Sequence, residues 1–145
     1  MRDKWVIVAV VATLLAVAGA AAHADSRPQR FELQANAPRL GASASILGSE
    51  LTVSIDGAAA GAHLEAAVAR LACTRSSVVR AAGGATADAA GHARWTASGL
   101  LTHGLRDGRH VLAVWSGARM VACSAIPSDD GNAPSGRWGL RSFVD

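Results

Sequence analysis

An all-β sandwich or barrel is the fold class this sequence predicts, and three observations carry it. Several short segments alternate apolar and polar residues with the period of two that a half-buried strand requires. Glycine-rich breaks separate these segments at short intervals, as in a sandwich or barrel. The last two apolar segments are joined at Ser116-Gly117, a connection short enough to favour a tight hairpin.

The chain has 145 residues, and its first 24 have the three parts of a secretory signal. Arg2 and Lys4 supply the charge, residues 5–18 the apolar run, and Ala22-His23-Ala24 the small-residue cleavage pattern. Cleavage is expected between Ala24 and Asp25. The apolar run is shorter than the roughly 20 residues of a spanning helix, so the processed chain is expected to be secreted or periplasmic and not membrane-spanning. Removal of 24 residues leaves 121, enough for one domain with one core over residues 25–128.

Within that domain, residues 31–35 alternate like a half-buried strand, and residues 36–41, with Pro38, form a break. Residues 45–47 read as a short strand. Residues 50–56 give the clearest one, with Leu51, Val53 and Ile55 on one side and polar residues on the other. Residues 57–61 are the turn that follows. Over residues 62–72 the signals conflict, because Leu64, Val68 and Leu71 fall at helical spacing among alanines, the best helix formers. Gly83, Gly84 and Gly91 punctuate the middle of the chain, and residues 92–98 alternate again with Trp95 as the large apolar member. Residues 109–115 and 119–126 are two further strands. Residues 129–145 contain Asp129-Asp130-Gly131 and Pro134, a composition that buries little and predicts a flexible tail, with Trp138, Leu140 and Phe143 as side chains able to dock back.

Cys73 and Cys123 are the only cysteines, and a secretory signal sends both to a compartment where disulfides persist. A bond between them closes a loop of about 50 residues and contributes ~4 kcal/mol in the chain-entropy model. The competing reading, a reactive or metal-binding thiol pair, lacks a C-x-x-C motif. Without residues 1–24 the chain keeps 12 of 14 basic and 10 of 11 acidic residues, a net charge of +2. Its arginines are scattered and not interleaved with aromatics, so no nucleic-acid partner is expected. Richness in Ala, Gly and Arg is of the kind high-GC bacterial genomes encode, which is an association and not a mechanism.

Three segments resemble the copper/zinc superoxide dismutase family. Thr86-Ala87-Asp88-Ala89-Ala90-Gly91-His92-Ala93 is similar to its TADxxGxA turn. Asp107-Gly108-Arg109-His110-Val111-Leu112-Ala113-Val114 is similar to its GRxLVVH strand, and Arg119-Met120-Val121-Ala122-Cys123-Ser124-Ala125-Ile126 to its closing RLACGVI strand. A thinner match sets Gly57 to His63 against the turn that precedes the family's copper-binding strand. The resemblance spans roughly residues 31–127. It implies a Greek-key β-barrel of immunoglobulin-like appearance, a strand over residues 62–72 with Leu64, Ala66 and Val68 facing the core, and Cys73 and Cys123 as the family's intrasubunit pair.

The family's metal ligands do not carry over. Its His-x-His pair falls at about Ala66 and Val68, its zinc ligands at Val78 and Ala81, and its last copper histidine at Val114 or Trp115. Alanine and valine have no lone pair to offer a metal, whereas copper chemistry on this fold needs imidazoles. The zinc loop is shortened to 12 residues between Cys73 and Thr86, and the electrostatic loop to Ser116-Gly117-Ala118.

Other chemistry finds little support. The mature histidines His63, His92, His103 and His110 include no pair spaced i, i+2 or i, i+4. A rebuilt copper or zinc site on His63, His103 and His110 is the alternative. No G-x-S-x-G elbow or G-x-x-x-x-G-K-[ST] loop is present, and Asp129-Asp130-Gly131-Asn132 lacks the other ligands of a calcium loop. Trp95 and Trp115 are core candidates that also have the chemistry to line a pocket. The sequence thus predicts a secreted or periplasmic, metal-free and non-enzymatic relative of the dismutase fold, without catalytic residues or a cofactor, binding an envelope or extracellular partner. A third reading is an assembly module that self-associates through the edge strand at residues 31–35.

Overall fold

The alternation of residues 50–56 is realised as a strand with Leu51, Val53 and Ile55 fully buried, and it anchors one of two antiparallel sheets in the computed structural model, which describes residues 27–100 and 103–128. Nine strands occur among these residues. They are β1 (Gln29–Glu32), β2 (Gln34–Ala35), β3 (Gly41–Leu47), β4 (Glu50–Asp56), β5 (His63–Arg70), β6 (Val78–Thr86), β7 (Ala93–Ala97), β8 (His110–Ser116) and β9 (Arg119–Ala125). The first sheet has the order β1-β3-β4-β7 and the second β2-β9-β8-β5-β6. No α-helix occurs among the described residues, only 3-10 turns at Arg75–Ser77 and His103–Leu105. No helix there is long and apolar enough to cross a membrane.

Side chains from the facing sides of both sheets fill the main core. Ile46, Leu51, Val53 and Ile55 of the first sheet meet Leu64, Val68, Leu112 and Val114 of the second. Each such side chain contributes about 1.5–3 kcal/mol by burial. Leu64, Ala66 and Val68 face this core, as the resemblance implies, and residues 63–70 are a strand despite their helical spacing.

The expected strand over residues 31–35 is divided. Leu33 is buried at a switch point, so β1 pairs with β3 in the first sheet while β2 pairs with β9 in the second. One segment therefore edges both sheets, with four residues in β1 and two in β2, and edges this short offer little to a passing strand. The short strand expected at residues 45–47 extends to Gly41–Leu47, because Ala42 and Ala44 continue the buried alternation. The hairpin between β8 and β9 turns at Gly117 and Ala118, one residue later than expected, with Ser116 opposite Arg119.

A second, smaller apolar cluster lies on the outer face of the second sheet. Ala67, Ala69, Val111, Ala113, Trp115 and Cys123 are buried there beneath Cys73, Val78 and Met120. The cover is the loop of residues 71–77, bound to β9 by the Cys73–Cys123 disulfide at a Cα separation of 6.2 Å. Leu71 starts the loop with φ 62°, a left-handed conformation that costs a branched side chain about 1 kcal/mol or more, and its N–H donates to the Arg109 carbonyl at 2.9 Å.

Candidate functional site

Residues at odd positions of β5 point away from the main core, so His63, Glu65, Ala67 and Ala69 line the outer face of the second sheet. Register sets Glu65 opposite Trp115 of β8 and opposite Gly84 of β6. A cleft of about 400 Å³ opens at this end, bordered by His63, Glu65, Arg75, Ala81, Gly84 and Trp115.

Glycine keeps its floor low. A Cβ on Gly84 would lie 2.2 Å from the Leu64 carbonyl oxygen, and Gly83 has φ +73° at the irregularity where β6 slips against β5. A Cβ at Gly84 would run into the backbone of β5, and a side chain at Gly83 would be strained by its positive φ.

Arg75 forms the wall. It opens the 3-10 turn that Ser77 ties down, the Ser77 hydroxyl lying 2.8 Å from the Ala72 carbonyl and 2.9 Å from that of Thr74. The Arg75 guanidinium stacks over the Trp115 indole at 4.8 Å, donates to the Gly117 carbonyl at 2.5 Å, and lies 3.3 Å from Glu65 Oε2. Trp115 beneath it is 3% exposed. His63 Nε2 approaches the other Glu65 oxygen at 3.7 Å. A cation, an anion and an imidazole thus line up along one wall, with an indole and methyl-sized residues as the floor.

The positions matched to the family's ligands are scattered over both faces. Ala66, Val68 and Val114 point into the main core, Val78 packs over the outer cluster, and Ala81 and Trp115 border the cleft. Moving one residue along β5 reaches Glu65, Ala67 and Ala69, of which only Glu65 carries a donor. Two donors, His63 and Glu65, beside a fixed guanidinium do not fit a copper or zinc ion, which needs three or four ligands and no adjacent cation. Among the described residues, no three His, Cys, Asp or Glu side chains gather as a metal site would require.

Nor do the three candidate histidines form one set. His63 starts β5, whereas His110 starts β8 opposite Arg70. Seven residues of strand separate the two ends, about 23 Å at the usual rise. His110 is nearly buried, with Nδ1 2.8 Å from Asp107 Oδ1. Burial alone would raise the Asp107 carboxyl, but the Arg109 N–H and the His110 ring outweigh it, so its pKa lies below the usual value. His103 opens the 3-10 turn that leads toward β8, and its side chain lies outside the described residues. Ala24 and Asp25 lie outside them too, as do the rest of the expected signal segment and the expected tail over residues 129–145.

Comparison with known proteins yields no matching family model, no matching curated protein and no matching solved structure.

Sequence reasoning missed Arg75 and Glu65. Neither belongs to a motif, and they meet where the disulfide-held loop lies over the end of β5. A second polar constellation joins the turn after β4 to the turn before β7. His92 Nδ1 lies 2.6 Å from Asp56 Oδ1, and Asp88 Oδ1 accepts from the Ala90 and His92 N–H groups at 2.8 and 2.9 Å. The hydrogen bond to Asp56 holds the His92 ring above the ordinary histidine pKa. The His92 N–H, with lesser help from Ala90, holds Asp88 below the usual carboxylate range. Both residues are exposed, and Asp88 closes a turn of the kind aspartate commonly builds.

Proposed function

We propose that this protein is a secreted or periplasmic β-sandwich of superoxide dismutase-like topology that holds no catalytic metal and serves as a binding or envelope-structural module. The observation that carries the reading is the set of residues at the matched ligand positions. Where the resemblance expects imidazoles and a carboxylate, the chain carries Ala66, Val68 and Val114 turned into the main core, Val78 over the outer cluster, and Ala81 and Trp115 at the cleft. A fold without its ligands does not carry its reaction.

Strand order supports the topology. β8 lies beside β5, β5 beside β6, and β7 packs against β6 with Trp95 Nε1 donating to the Ala82 carbonyl at 2.9 Å. A Greek-key connection would bring β8 back beside β5 in this way, with β7 carried by the first sheet next to the β6 edge. The disulfide agrees with an oxidising compartment.

The decisive experiment is metal analysis and a superoxide assay on the purified, oxidised protein after incubation with copper and zinc. The expected outcome is less than stoichiometric copper and no dismutation. Stoichiometric copper with dismutase activity would overturn the reading.

A further inference from the structure

We propose that the cleft beside Arg75 is a binding site for small organic carboxylates, with the acid group held by the Arg75 guanidinium and the apolar body lying along Ala67, Ala81 and Gly84. Arg75 is fixed before any ligand arrives: the Trp115 indole supports one face of its guanidinium, and the Gly117 carbonyl accepts from one end. Holding a long side chain in place removes the side-chain ordering part of the cost of binding. A guanidinium has five N–H donors and the two hydrogen bonds here leave the rest for a carboxylate, which takes them as a fork.

Glu65, the carboxylate already at this guanidinium, is half exposed, so its ion pair is weak and exchangeable. When a ligand displaces it, Glu65 still has His63 on its far side at 3.7 Å. The floor selects the rest of the ligand. Methyl-sized and glycine positions, two of them imposed by backbone approach or positive φ, leave an apolar hollow, and the 400 Å³ volume lies in the range of small-molecule sites. A cation would meet Arg75 head on. A sugar would leave the apolar floor in contact with hydroxyls.

This inference goes beyond the proposed function and does not depend on metal content, so it is tested separately, on metal-free oxidised protein. Acetate, butyrate and hexanoate are titrated against butylamine and butanol while the amide resonances of Gly83, Gly84 and Gly117 are followed. The acids are expected to bind saturably and more tightly with chain length, at the same three amides. Arg75→Gln should weaken butyrate at least tenfold, the loss expected for a charge-assisted hydrogen bond. Arg75→Lys should fall between, since charge remains without the fork, and Arg94→Gln on the opposite sheet should bind as wild type does. Circular dichroism of each variant establishes folding, and Arg75→Lys alone decides if Arg75→Gln does not fold. Absence of saturable acid binding, equal binding of amine or alcohol, or undiminished binding by both Arg75 variants would overturn the proposal.

Discussion

The two sheets treat their outer faces in opposite ways. Across the first sheet, register aligns Arg30, Ser45, Thr52 and Thr96 in one row and Glu32, Ser43, Ser54 and Arg94 in the next. All are hydroxyl-bearing or charged and in contact with water, with Thr52 and Thr96 hydroxyls 2.9 Å apart. Across the middle of the second sheet, the corresponding face is Ala67, Ala69, Val111, Ala113, Trp115 and Cys123 beside a disulfide-held loop. An antiparallel sheet stands open to water on one face only where its strands alternate. The second sheet does not alternate in β5 and β8, and it therefore needs a cover. That cover, residues 71–77, has few apolar side chains of its own and relies on the covalent bond.

The sharpest way to break this comparison is to remove the bond. Cys73→Ser with Cys123→Ser should cost about 4 kcal/mol in urea unfolding, and hydrogen exchange should rise first in β5, β8 and β9. Unchanged stability would mean that the loop holds itself. Next, Trp115→Ala should cost about 3 kcal/mol although it lies on an outer face, as core truncations of large aromatics do. Thr52→Ala, on the outer face of the first sheet, should change stability by less than about 0.5 kcal/mol. Equal costs at the two positions would show that the faces are energetically alike.

The smallest effect concerns pH at the turns joining the sheets. The raised His92 pKa means that its bond to Asp56 contributes fully below the unfolded histidine pKa and is lost as pH rises through the folded one. The lowered Asp88 pKa has the opposite sense: its contribution is present above the unfolded carboxyl pKa and lost as pH falls through the folded value. Ring resonances of His92 should titrate above those of an unstructured histidine, and Asp56→Asn should return them toward the ordinary range. A titration indifferent to Asp56→Asn would remove the contact from the account.

Legibility in the sequence followed the same division of faces. β4 was plain because one side of it is core and the other is water, so Leu51, Val53 and Ile55 stand out. β5 was ambiguous because residues 66–69 are buried on both sides, which erases the alternation and leaves alanine's helical preference as the strongest local signal. The strand β6 was not anticipated at all, since Gly83 and Gly84 read as breaks, whereas in the fold they mark an irregular register against β5. The cleft was invisible for a different reason. Glu65 and Arg75 are ten residues apart, and Trp115 a further forty, with no motif linking them.

The sequence by itself determined that the chain is built of short strands, that the alternating ones expose one face, and that Cys73 and Cys123 are the only thiols available to pair. Only the tertiary structure decided that one segment edges both sheets through Leu33, that the second sheet carries apolar packing on both sides, and that Arg75 comes to rest on Trp115. The reason is physical: alternation is a local record of one wet face, whereas burial on both faces and contacts between distant loops leave no period in the chain.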